Sequence, residues 1–287
     1  MEFRNINHWK TEMKKIAISK ELDIQNVQQR YVLEEFAKKI GLSKYNDMFI
    51  LKGGFVVSTL LGLDTRMTRD LDVTYRSTIY GIEEIRKILI EIIETETDSF
   101  FDYSLENIRR AQEDNQYSGF VAQIIAKCDN TRIIMKIDIS NNTLIFPGAL
   151  NSKLKSLFSN EILNLNTYTV ENIIAEKYET TLDRGEYNTR MRDLFDIYLL
   201  LNENNHLIDN EMLAKTIIKV SENRDTLENL NDFDEIIKML ENSSIFNYNF
   251  QKYKEEQYPK SKITLSDIFE KFKVVDQMIK SYQKNNV

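Results

Sequence analysis

Residues 48–75 read MFILKGGFVVSTLLGLDTRMTRDLDVTY and hold a strand, a glycine pair, a helix and a second strand in immediate succession. Met48-Phe49-Ile50-Leu51 is an apolar run of strand length. Lys52-Gly53-Gly54 ends it, and the following segment, apolar on all sides and closed by Gly62, predicts a buried helix with a glycine cap. Arg69 to Tyr75 then alternates strictly. Leu71, Val73 and Tyr75 point one way, while Asp70, Asp72 and Thr74 point the other, so this strand has one face in a core and one free for chemistry.

Upstream, the spacing from about Trp9 to Ile40 predicts two helices, with Val27, Tyr31, Val32, Leu33 and Phe36 on buried positions. Downstream, Ile82 to Glu94 predicts an amphipathic helix. Gly119 to Cys128 and Thr131 to Ser140 predict a hairpin turned at Asp129-Asn130. In its second strand Ile133, Met135, Ile137 and Ile139 form the apolar face, and Asp138 shares the opposite face with Ile134, Lys136 and Ser140. Strand signals are expected to stop at Pro147. Helices are expected over Val170–Leu182, Arg190–Asn202, Asn210–Val220, near Phe233–Leu240 and Ser266–Tyr282, with Thr264 and Asp267 as a capping box for the last. The expected fold class is α+β: a mixed-sheet domain over residues 1–150 and an all-helical domain over 151–287.

With 287 residues and 42% hydrophobic side chains the chain can bury a sizeable core, and eight Gly with two Pro favour helices over a turn-rich all-β fold. The single cysteine, Cys128, excludes an internal disulfide and a multi-cysteine zinc site. No run nears ~18 apolar residues and the N-terminal stretch is polar, so the expectation is a cytoplasmic protein with no membrane span. A net charge of −7 argues against non-specific coating of nucleic acid but allows a local basic groove.

Asp70 and Asp72 on one strand face have Cα atoms roughly 6–7 Å apart. Carboxylates so spaced can converge on Mg²⁺ (or Mn²⁺), with Asp138 as the third ligand or as a proton acceptor. A lone Asp-x-Asp pair is often an exposed strand edge. The Gly53-Gly54 pair upstream adds weight, because glycines let backbone N–H groups approach a phosphate and the helix N-terminus favours an anion; a tight strand-to-helix connection is the plainer alternative. Lys52 and Ser58 would flank the same pocket. Lys177 interrupts an apolar helical stripe of Val170, Ile173, Ile174, Tyr178 and Thr181, which calls for a partner, a ligand or a stem reaching solvent. Arg190 and Arg192 open the next helix, where the macrodipole disfavours cations. Compensation could come from Asp193 and Asp196 within the helix, or from a bound phosphate. Phe246, Tyr248, Phe250, Tyr253 and Tyr258 interleave with Lys252, Lys254, Lys260 and Lys262, which suits either RNA stacking or a helix-packing edge.

The order strand, Gly-Gly, helix, Asp-x-Asp strand and hairpin strand with Asp resembles the core of DNA polymerase β-like nucleotidyltransferases. Four blocks carry a narrower resemblance, to the AbiEii toxins of type IV toxin–antitoxin and abortive-infection systems. They are Lys52-Gly53-Gly54, Arg69-Asp70-Leu71-Asp72-Val73, Lys136-Ile137-Asp138, and the stretch from Glu176-Lys177 to Arg190-Met191-Arg192-Asp193-Leu194-Phe195-Asp196-Ile197-Tyr198. The resemblance implies metal-dependent transfer of a nucleotide from an NTP, with GTP and CTP as candidates, to an RNA such as the tRNA 3′ end. It assigns Asp70, Asp72 and Asp138 to metal and catalysis, and Lys177 and Asp193 to catalysis as well. Lys52, Gly53, Gly54, Ser58, Arg69, Arg190 and Arg192 would bind nucleotide. It further implies an antitoxin that acts without forming a stable complex. Two other readings stay open: transfer to a small-molecule or protein hydroxyl, and a non-catalytic nucleotide- or RNA-binding module.

Overall fold

The computed structural model describes residues 3–63, 65–77, 81–111, 119–141 and 143–285. The chain divides into two compact units, one within residues 1–143 and 149–168, the other within 144–148 and 169–287.

The first unit runs α1 (Ile6–Ser19), α2 (Ile24–Leu42), β1 (Phe49–Lys52), α3 (Gly53–Leu61), β2 (Asp70–Tyr75), α4 (Ile82–Ile93), β3 (Asp102–Arg110), β4 (Gly119–Cys128), β5 (Thr131–Ser140), β6 (Leu150–Lys155) and β7 (Ile162–Thr167). The seven strands form one mixed sheet in the order β3-β4-β5-β2-β1-β7-β6. Parallel pairs join β2 to β5 and β1 to β7; the remaining neighbours are antiparallel. The alternation read in β2 and β5 sets which face is dry. Phe49, Leu51, Leu71, Val73, Met135, Ile137, Phe120 and Ile124 are buried to 1% exposure or less on it. At about 25 cal/mol per Å² of apolar surface, this face anchors the unit and fixes the strand register, since a one-residue slip would turn every one of these side chains outward.

Helix α2 ties the sheet to α3 through a buried ionic network. The Arg30 guanidinium, fully buried, lies 4.0 Å above the Phe55 ring and donates to Thr59 Oγ1 at 2.7 Å. Burial lowers its pKa to about 10, against the opposing pull of Glu34, 3.6 Å away. Glu34 accepts from the Ser156 hydroxyl and from the Leu157 N–H, which fastens the β6–β7 connection.

The second unit contains α5 (Val170–Arg184), α6 (Met191–Glu203), α7 (Asn210–Asn223), α8 (Glu228–Asn231), α9 (Phe233–Asn242), α10 (Ser244–Gln257) and α11 (Leu265–Asn285). The expected capping box is present: Asp267 N–H donates to Thr264 Oγ1 at 3.1 Å, and Thr264 N–H donates to Asp267 Oδ2 at 2.8 Å. No helix among the described residues is long and apolar enough to cross a membrane.

Four elements depart from the expectations. Strands do not stop at Pro147: β6 and β7 follow it, so the sheet outruns the 1–150 span. Leu163 and Leu165 do alternate with Asn164 and Asn166, but asparagine is poor in strands and masks the period. Strand β3 was not expected either. A register shift between Leu105 and Asn107 moves its next buried residue to Ile108 and breaks the period of two. Most of the aromatic-and-lysine segment forms α10, where Phe246 and Phe250 are fully buried; Tyr258, just past its end, stacks on Phe195 at 4.6 Å, while Tyr248 is 67% exposed. That packing removes Phe246, Phe250 and Tyr258 from the RNA-stacking reading.

Glu35 on α2 makes the first unit pH-sensitive. Burial pushes its carboxyl up to about 7, Asp98 and Glu34 add to the rise, and Lys38 opposes it. A carboxyl raised in the folded state stabilises the fold below its unfolded value, about 4.3, and loses that contribution as pH rises through about 7. Chemical unfolding at pH 5 and pH 8 should therefore show a loss of about 2 kcal/mol in the native chain that Glu35→Gln abolishes; equal pH slopes in the two proteins would contradict it.

Candidate active site

The pairing register assembles a row of side chains across three strands of the first unit. Lys52 on β1 is the antiparallel neighbour of Asp72 on β2, and Asp72 is the parallel neighbour of Asp138 on β5. Neighbouring strands lie about 4.8 Å apart, so Asp72 and Asp138 project side by side from the wet face. Asp70 sits two residues before Asp72 on that face and is the neighbour of Lys136. Like charges directly opposite destabilise a sheet. Lys136 offsets this here, donating from Nζ to Asp138 Oδ2 at 2.6 Å.

Helix α3 starts one residue after Lys52, so its orphan N–H groups and positive dipole end adjoin the row. Gly53 has φ of +60°, a conformation side chains rarely adopt, and a Cβ there would overlap Asp72 Oδ2. The close approach is therefore between backbone and carboxylate. A Cβ on Gly54 would lie 2.8 Å from Arg66 Nη2 and 2.9 Å from Thr68 Oγ1. Arg66 and Thr68, both nearly buried, did not figure in the sequence reading. Their signal was parity, since positions 66 and 68 extend the period of two through Asp70 and Asp72.

Two expected members of this group lie elsewhere in the unit. Ser58 is fully buried, and its hydroxyl donates to its own helix at the Phe55 carbonyl, 2.9 Å away. Arg69 has the parity of the opposite face and turns to α2, where its Nε donates to Asn26 Oδ1 at 2.8 Å.

In the second unit Lys177 on α5 donates to Asp193 and lies 3.0 Å from Asp196 Oδ2, both on α6. The three side chains are 11%, 7% and 0% exposed. The lysine in the apolar stripe is thus neither a snorkelling stem nor alone; two carboxylates meet it in a dry environment. This also corrects the pairing expected within α6. Asp193 and Asp196 face Lys177, where burial demands a counter-charge, whereas Arg190 and Arg192 keep exposed heads. Asp196 had a readable signal, since it shares the buried face of α6 with Asp193 at i+3.

The donor set of the first unit suits a hard divalent cation: three carboxylates on one face, with no thiolate or imidazole among them. Among the described residues no three His, Cys, Asp or Glu side chains already converge closely enough to hold an ion. The Lys136–Asp138 bond accounts for this in part, because it draws the Asp138 carboxylate along its own strand.

No curated protein matches the chain significantly. Among solved structures it is similar to a candidate nucleotidyltransferase from H. pylori (16% identity, 92% of this chain and 98% of the other, TM-score 0.49). It is also similar to JHP933 from Helicobacter pylori (18% identity, 92% and 96%, TM-score 0.49). The family model described as "Nucleotidyl transferase AbiEii toxin, Type IV TA system" matches residues 36–271, more than half of the chain and including every site residue named above. The chain therefore belongs to the AbiEii nucleotidyltransferase toxin family.

Proposed function

We propose that this toxin transfers a nucleotide from an NTP, with GTP and CTP as first candidates, to the 3′ end of tRNA, and that this arrests growth by blocking translation. The observation that carries the reading is the row Lys52–Asp72–Asp138 with Asp70 beside it, bordered by the N-terminus of α3. Asp70, Asp72 and Asp138 would hold Mg²⁺ or Mn²⁺, which when bound supplies charge neutralisation at the phosphates.

The chain's own groups do the rest. Lys52 and the first amides of α3 attract the triphosphate. The acceptor hydroxyl attacks the α-phosphorus, a new P–O bond forms, and the bond to the β-phosphate oxygen breaks with release of pyrophosphate. Asp138 takes the hydroxyl proton once its carboxylate leaves Lys136 and turns to the acceptor. Family resemblance supports roles for Lys177 and Asp193 in catalysis, with Arg190 and Arg192 binding nucleotide through their exposed heads. Membership of a type IV family also supports an antitoxin that works without a stable complex with this chain.

Incubation with each of the four labelled NTPs and bulk tRNA tests the reading. Label should enter tRNA, chiefly from GTP or CTP, and Asp72→Asn should reduce it by about a thousandfold or more with unchanged melting. Label found only on a small molecule or a protein would move the acceptor to that class, and no label anywhere would refute transfer. Lys177→Met should both suppress transfer and cost about 3 kcal/mol in denaturant unfolding, because it strands two buried carboxylates. A variant of native stability would show that the cluster is not the buried ion pair described above.

A further inference from the structure

Tyr168 follows β7 as the last residue of the first unit, and it is 1% exposed. Its backbone N–H donates to the carbonyl of Leu51 at 2.9 Å, the residue before Lys52. Its hydroxyl lies 2.7 Å from Thr74 Oγ1, the next residue after Asp72 on the carboxylate-bearing face of β2, itself 2% exposed. Thr74 in turn lies 3.2 Å from Ser140 Oγ, which stands next to Asp138 along the same face of β5. The ring is thus fastened at both ends, by backbone to β1 and by hydroxyl to β2. Over its face, 5.2 Å from the centroid, sits the Lys52 ammonium.

We infer that Tyr168 is the positioning residue for Lys52, holding its ammonium at the head of the Asp72–Asp138 row, where it receives the NTP triphosphate. The inference rests on the proposed role of Lys52. A lysine at a strand end has four rotatable bonds, and an aromatic face restrains it without a net negative charge of its own, so the cation keeps its pull on an anion. Because the hydroxyl chain through Thr74 and Ser140 orients the ring, the two strands that carry the carboxylates also aim the lysine.

The test is calorimetric binding of magnesium GTP and CTP to the full chain, which needs no turnover. Lys52→Met should weaken binding about tenfold, Tyr168→Leu about fivefold, and the double variant no more than Lys52→Met alone. Tyr168→Phe keeps the ring but loses its tether to Thr74, and should cost about two- to threefold. Thr74→Val leaves the ring in place and frees its hydroxyl, so it tests the same coupling even if Tyr168→Leu does not fold. It should cost about two- to threefold with Lys52 present and nothing in the Lys52→Met background. Losses that multiply in the double variants would overturn the inference. If Lys52→Met weakens binding and Tyr168→Leu does not, the positioning role alone falls. If Lys52→Met binds as the native chain does, the reading of Lys52 falls and takes this inference with it.

Discussion

The parallel pairing of β2 with β5 sets two carboxylates side by side on a sheet, an arrangement that costs free energy unless the surroundings answer it. Much of the first unit can be read as that answer. Lys136 reaches along its strand to Asp138, Lys52 stands beside Asp72 on β1, and the positive end of α3 begins at Gly53. The constraint extends behind the sheet, where Arg30 and Glu34 join α2 to α3 and to the β6–β7 connection. A dry face of Ile, Leu, Val and Phe locks the register, so the like charges cannot relax by slipping past one another.

The second unit solves a related problem with the signs reversed. One ammonium sits between two carboxylates, nearly out of water, and none of the three could be buried without the others. Lys177 comes from α5 and both aspartates from α6, so the cluster also fixes how these two helices meet within the unit. The Arg224–Glu179 pair, with Thr226 bonding the same carboxylate at 2.9 Å, joins α5 to the end of α7 in a similar way.

What could be read from the sequence followed from periodicity. Strands β4 and β5 and their turn at Asp129-Asn130 were legible to the residue, because their apolar positions alternate without a break. The bulge in β3 and the asparagines of β7 hid strands whose burial is otherwise ordinary. At the site, Asp70, Asp72, Asp138, Lys52 and the glycine pair were legible as one cluster, since all lie on or next to alternating strands. Register decides the finer contacts, and it depends on partners far along the chain. Ser58 and Arg69 were assigned by proximity in sequence and are turned elsewhere by packing. Arg66 and Tyr168 gave no chemical motif; their importance lies in what presses against them.

The pairing of Leu51 with Thr167 has a bearing on synthesis. Strand β1 is made early, yet its second neighbour leaves the ribosome only after α4 and five intervening strands have been produced. Until then β1 is an open edge, and the ring that lies under Lys52 does not yet exist. Lys52 is thus seated late, so a nascent or truncated chain of this toxin carries the carboxylates without their fixed lysine and exposes a strand edge open to mispairing.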